Sequence, residues 1–317
     1  MPSYAELRCI SNFSFLRGAS RPEELVARAK QLGYHALALT DECTMSGIVR
    51  AHVAAKEQDL KLLVGSEFQV FCAFPFTLTV LACNLNGYGN LCQFITKLRR
   101  SSEKGTYLLD ISEVSGRELQ DCVVIASPQR MSQPDQLEHV ARWVLNNFMG
   151  RCWLGVNLLR LLDDEMWLYR LRAVSELTAI PLVATGDVHF HVRSRKPLQD
   201  VMTATRVGKP LTECGLALQP NAERHLRTRL RLAQTYPDDL LAETMHVAER
   251  CHFSLDELKY QYPDEVVPAG GTAASYLRRI PMRGQADVGH RACLPRCSHK
   301  SSTSWNSSPS SSTSTIF

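Results

Sequence analysis

The chain has 317 residues, 44% hydrophobic and 21% charged, which suits one large folded domain or two smaller ones and excludes a wholly disordered chain. No run of about 18 uncharged apolar residues occurs, so no membrane-spanning helix is predicted, and the opening MPSYAELRC lacks the basic-then-apolar order of a secretory signal. Of the net charge of +4, residues 281–317 carry +3 (Arg283, Arg291, Arg296 and Lys300 against Asp287); the +1 left over the first 280 residues is no basic nucleic-acid footprint. Eleven cysteines lie scattered from Cys9 to Cys297 without repeated CxxC pairs, which argues against a zinc ribbon and for reduced thiols in the cytoplasm.

The elements alternate in chain order. Pro22-Glu23-Glu24 opens a helix with Pro near its first turn and two acids at the positive end of the dipole; Leu25, Val26, Ala29 and Leu32 give it an apolar face. Short apolar runs at Ala36–Thr40, Leu62–Val70, Thr77–Ala82, Cys122–Ala126, Trp153–Leu158 and Pro181–Thr185 read as buried parallel strands. Asp135–Met149 is a helix by the spacing of Leu137, Val140, Ala141, Val144, Leu145 and Phe148, and Gly150 closes it. Asp163-Asp164-Glu165 starts another, carrying Leu168, Leu171, Val174 and Leu177. The alternation predicts an α/β fold with a parallel sheet, as a barrel or a doubly wound layer. From Pro197 the pattern is helical, near Pro197–Thr205, Ala222–Thr235 and Asp238–Cys251. The basic run of Arg224, Arg227, Arg229 and Arg231 reads as a solvated helix face balanced by Asp238, Asp239 and Glu243. After Ile280 a Ser/Thr-rich stretch without apolar periodicity predicts disorder.

Several acids share one context, at the end of an apolar strand: Asp41 and Glu42 in ALALTDE, Glu67 in LLVGSEF and Asp187 with His189 in TGDVHFH. Strand ends of a barrel or open sheet converge on one mouth, where sites are built. Oxygen and imidazole ligands delivered there are what a divalent-metal phosphoesterase needs. Asp187, His189 and His191 alternate with period two, which puts them on one face of an extended chain. The competing reading is that Asp41 and Asp187 only cap turns. His35, His52 and His139 have no such context.

At these residues the chain resembles a known family. The segments YAELRCISNFSFLRGASRPEELVARAKQLGY, ALALTDECTMSGIVRAH, LLVGSEFQV, NGYGNLCQFITKLRR, PLVATGDVHFHVRSRKPLQDV, PNAERHL and RCHFSLDELKYQYPDEVVPAG look like the N-terminal PHP (polymerase and histidinol phosphatase) domain of the bacterial DNA polymerase III alpha family, in its error-prone branch. The match spans about residues 4–280. It implies an α/β fold, a distorted β/α barrel over 4–200, a helical segment over 201–280 leading into a polymerase core, and a disordered tail over 281–317, out of frame or truncated. It implies DNA-directed DNA polymerase activity in replication, damage-induced translesion synthesis and repair. DNA and other replication or translesion proteins are the implied partners, with no membrane. Magnesium serves polymerisation, and zinc or manganese fills intact PHP sites.

The departures from the family pattern matter as much. The positions of the usual HxH pair read Arg8-Cys9-Ile10, the aspartate expected before Gly18 is Arg17, and the histidine after Asp41 is Glu42. The matching metal positions are Asp41, Glu67, Asp187 and His189, with Arg8, Arg17 and Glu42 as substitutes for metal or ligand. Arginine cannot ligate a metal, so no cofactor is expected on this chain, and its guanidinium groups should pair with Glu42, Glu67 or Asp187. The polymerase carboxylates are absent from the chain, so no residue is nominated as catalytic. The alternative reading is a metal-dependent phosphoesterase or 3′–5′ exonuclease using Asp41, Glu67, Asp187 and His189.

Overall fold

A computed structural model describes residues 2–259 together with Val267, Thr272, Ser275 and Tyr276. The chain divides into two units, Met1–Lys259 and Tyr260–Phe317. The expected disorder over 281–317 lies outside the described residues.

Seven strands form one sheet in sequential order: β1 (Ala5–Glu6), β2 (Ala36–Leu39), β3 (Lys61–Val70), β4 (Phe76–Ala82), β5 (Cys122–Pro128), β6 (Cys152–Val156) and β7 (Leu182–Ala184). The sheet is curled, and its two margins meet beyond β1 and β7. There the Val188 N–H donates to the Arg8 carbonyl (3.0 Å) and the Ile10 N–H to the Val188 carbonyl (2.9 Å). The result is the distorted α/β barrel expected.

One expectation is corrected. The sheet is not all parallel, because β4 runs antiparallel to both β3 and β5. Only residues 71–75 join β3 to β4, too few for the helical crossover that parallel neighbours require. Within β3, Gly65 permits the close approach: a Cβ there would lie 2.5 Å from the Val80 carbonyl oxygen and 2.6 Å from Leu81 Cδ2. Gly65→Ala is expected to cost about 1–3 kcal/mol by overpacking. Urea unfolding would show this as a lower midpoint at unchanged slope.

The helices are α1 (Pro22–Gln31), α2 (Ile48–Gln58), α3 (Leu85–Arg100), α4 (Pro134–Phe148), α5 (Asp164–Thr178), α6 (Lys196–Val207), α7 (Arg229–Ala233) and α8 (Asp238–Arg250). In α1 and α4 proline fills the first turn, where no N–H is needed. The Glu24 carboxylate accepts from the Arg21 N–H at 2.9 Å, stopping fraying at that end. Period-two alternation sorts the strands: Leu37 and Leu39 pack under the helices, while Ala36 and Ala38 join Leu63, Ile125 and Val183 inside the curl. Val247 and Ala248 of α8 belong to that inner cluster. The Ala5 N–H donates to Thr244 Oγ1 (3.2 Å) and Trp153 Nε1 to Glu243 (2.7 Å), so α8 seals the end where the parallel strands start. The opposite end stays open.

The helix expected over Ala222–Thr235 is also corrected. Only Arg229–Ala233 is helical, and before it the chain is extended, with His225 bridging Phe190. The face is not solvated: Arg227 is 1% exposed.

Candidate functional site

A cleft of about 380 Å³ opens where the parallel strands end. Its floor is built by side chains that arrive from far apart in the chain. Arg8, two residues beyond β1, inserts between two buried carboxylates. Its Nε lies 2.8 Å from Glu67 Oε2, and its Nη2 lies 3.3 Å from Asp187 Oδ1. Arg224 takes the other oxygen of Asp187, with Nη1 2.6 Å from Oδ2. His189 Nε2 is 3.0 Å from Arg224 Nη1, and its Nδ1 is 2.7 Å from the Gln199 amide of α6.

Asp187 stands in the left-handed region at φ 48, which a non-glycine residue adopts at a cost and holds only where its surroundings over-determine it. Here the two guanidinium groups supply the constraint. Burial pushes the Asp187 carboxyl up, but Arg224 and Arg8 outweigh it and hold the group well below the usual range. Burial, then the charge of Arg224, lowers His189, which keeps it neutral near pH 7.

The remaining sequence-derived positions lie to one side. Asp41 accepts four hydrogen bonds at 2.7–3.1 Å, from the backbone N–H and hydroxyl of both Ser11 and Ser14. Burial raises its carboxyl despite these donors. It does not line the cleft. Glu42 pairs with Arg17, whose Nε lies 2.7 Å from Oε2, and accepts from the Tyr107 hydroxyl at 2.8 Å. The fold thus brings Arg8, Glu67, Asp187 and His189 together with Arg224, with Arg17 also lining the cleft, and leaves Asp41 and Glu42 outside its lining. His191 faces elsewhere, with Nδ1 2.7 Å from Ser20 Oγ.

Arg224 and Gln199 escaped the reading of the residues. The signal for Arg224 was present, since it falls inside the segment PNAERHL, but its charge was assigned to solvent with the rest of the basic run.

These residues do not fit a divalent metal. Where a cation would sit among Glu67, Asp187 and His189, two guanidinium groups already stand, and they repel a second cation. The lone pairs of Asp41 are occupied by serines. Among the described residues no three His, Cys, Asp or Glu side chains are grouped so as to hold a metal ion.

Beside the cleft, His225 donates from Nδ1 to the Ala222 carbonyl at 2.7 Å, and burial pulls it down to about 4 from its ordinary 6.5. The unfolded chain therefore takes up a proton between pH 6.5 and 4 that the folded chain refuses. Stability from this group is complete above pH 6.5 and drains as pH falls towards 4. Melting temperature followed across that window should fall less steeply in His225→Gln than in the parent.

Comparison with known proteins shows what the chain is similar to. Residues 6–147 match the family model of the PHP domain. Over 288 residues the chain is 51% identical to the error-prone DNA polymerase of Dechloromonas aromatica, covering 90% of this chain and 28% of that protein. Against the error-prone DNA polymerase of Pseudomonas aeruginosa it is 49% identical over 286 residues, covering 90% and 27%. The chain thus spans little more than a quarter of the length of these relatives. A solved structure described as a metal-dependent phosphoesterase, from Bifidobacterium adolescentis, aligns at 16% identity over 60% of this chain and 89% of that one, with a TM-score of 0.45.

Proposed function

We propose that the chain, which is similar to the PHP domain over residues 6–147 and to error-prone DNA polymerases, is the PHP module of a DNA-directed DNA polymerase of translesion synthesis, acting as a structural part and not as a hydrolase. The observation that carries this reading is the Arg8 guanidinium between Glu67 and Asp187, backed by Arg224. Ion pairs hold the mouth where a metal phosphoesterase would need open ligands. The module takes in 4–200 and the helical stretch to residue 259, because Arg224 comes from the latter. DNA, other replication proteins and the cytoplasm are the partners and the compartment proposed for the whole polymerase. No helix among the described residues is long and apolar enough to cross a membrane.

Two assays test the reading. Purified chain should neither extend a primer with all four nucleotides nor release label from a mismatched 3′ end with manganese or zinc present. Its melting temperature should be indifferent to chelator. Extension would place a polymerase site within this chain. Metal-dependent label release abolished by Asp187→Ala would instead establish the nuclease reading.

A further inference from the structure

Among the described residues every cysteine is a free thiol, and two that lie far apart in the chain meet at the sealed end of the barrel. Cys83 directly follows β4, and Cys251 closes α8 as its C-cap. Two backbone hydrogen bonds hold them side by side: the Cys83 carbonyl accepts from the His252 N–H at 2.7 Å and from the Phe253 N–H at 3.1 Å. The Cys83 N–H is anchored in turn, donating to the Asp121 carbonyl at 2.9 Å. The side chains turn towards each other. Cys83 packs against the inner cluster to which Cys251 belongs, and their thiols share a hydrogen bond. Converging side chains on adjacent, anchored backbones are what two cysteines need in order to be bridged without moving the chain.

The two sulfurs are unequal. Cys251 is 2% exposed, whereas Cys83 is half-buried. The Cys251 thiol donates to Cys83, and that bond, helped by the nearby charge of Arg250, draws the Cys83 thiol below its ordinary range despite burial. The same bond, with burial, raises Cys251. One thiol is therefore reachable and inclined to ionise, and the other stands behind it. Cys122, a third thiol close by, donates to the Gly87 carbonyl at 3.3 Å, and burial pushes it up to about 12, so it stays protonated and unreactive.

We propose that Cys83 and Cys251 are a reversible oxidation site that closes to a disulfide on reaction with a hydroperoxide, Cys83 attacking first and Cys251 resolving. The Cys83 thiolate attacks a peroxide oxygen, the O–O bond breaks, and hydroxide leaves to take up the thiol proton as water, so Cys83 becomes a sulfenic acid. Cys251 then attacks that sulfur: the S–S bond forms, the S–O bond breaks, and the departing hydroxide takes the Cys251 proton. Two thiols and one hydrogen peroxide give one disulfide and two waters. The bridge closes the loop from residue 83 to residue 251 and fastens α8 to the sheet it seals, restricting the unfolded chain. It does not depend on what the cleft at the opposite end holds.

The test treats the full chain with a small excess of hydrogen peroxide, blocks the remaining thiols with iodoacetamide and maps bridged peptides by mass spectrometry without reductant. A Cys83–Cys251 peptide, the loss of two free thiols per chain and a melting temperature higher by roughly 5–15 °C are expected, all reversed by dithiothreitol. In Cys251→Ser the bridge and the thermal shift should vanish, and dimedone should trap Cys83 as its sulfenic acid. Cys83→Ser, at the more exposed position, should leave Cys251 unoxidised, which keeps the assignment testable if the first variant does not fold. A bridge from either sulfur to Cys122, further oxidation of Cys83 beside a free Cys251, or survival of both thiols under peroxide that fully oxidises glutathione overturns the proposal.

Discussion

Arg8→Ala is expected to destabilise the fold by about 3–5 kcal/mol, the range for removing one partner of a buried ion pair. The cost comes less from the lost attraction than from what is left behind. Among the described residues Glu67 has no ion-pair partner but Arg8, and both side chains are nearly inaccessible, at 3% and 7%. Asp187 keeps Arg224 and suffers less. A double-mutant cycle separates these contributions. Arg8→Met should be strongly destabilising alone, and adding Glu67→Gln should recover about 2 kcal/mol or more, because the stranded charge is gone. Chemical denaturation of the four proteins measures it. A single-mutant loss below about 1 kcal/mol, with new sensitivity to chelator, would mean that a bound cation can take the place of the guanidinium.

That pairing was legible in the residues, and its limits are instructive. Apolar runs placed six of the seven strands within a residue or two, because burial on both faces leaves a strong compositional mark. The two-residue β1 left none. Strand-end positions drew attention to Glu67, Asp187 and His189, and arginines at ligand positions led to the expectation that Arg8 and Arg17 would pair with carboxylates. Strand direction was not legible at β4, since its pattern reads alike in either sense and only the short 71–75 connection carries the information. The basic run at 224–231 was misjudged for a related reason. Local sequence says that charge prefers solvent, whereas burial of Arg224 and Arg227 depends on acceptors brought from residues 158, 187 and 236 by the fold.

Arg227 shows how far tertiary acceptors can overrule that preference, and it supports a second large effect. Its guanidinium is 1% exposed and has no carboxylate within ion-pair distance among the described residues. Nη1 donates to the Leu158 carbonyl at 2.8 Å and Nη2 to the Tyr236 hydroxyl at 3.2 Å, with the guanidinium carbon 5.3 Å from the Tyr236 ring centroid. The Tyr236 hydroxyl in turn donates to the Thr185 carbonyl at 2.8 Å and accepts from the Leu158 N–H at 3.0 Å. One side chain thus ties the ends of β6 and β7 to the segment leading into α8. Arg227→Ala should cost about 3–5 kcal/mol, because it opens a large cavity at a site that cannot collapse. Arg227→Met keeps most of the volume and removes a charge that burial disfavours, giving up the hydrogen bond to the Leu158 carbonyl. Its cost should stay within about 1.5 kcal/mol, the range for volume-conserving core swaps. Urea unfolding of both variants decides between packing and charge. If Met costs as much as Ala, the guanidinium hydrogen bonds dominate, and the barrel end depends on a buried charge in the same way that the cleft depends on Arg8.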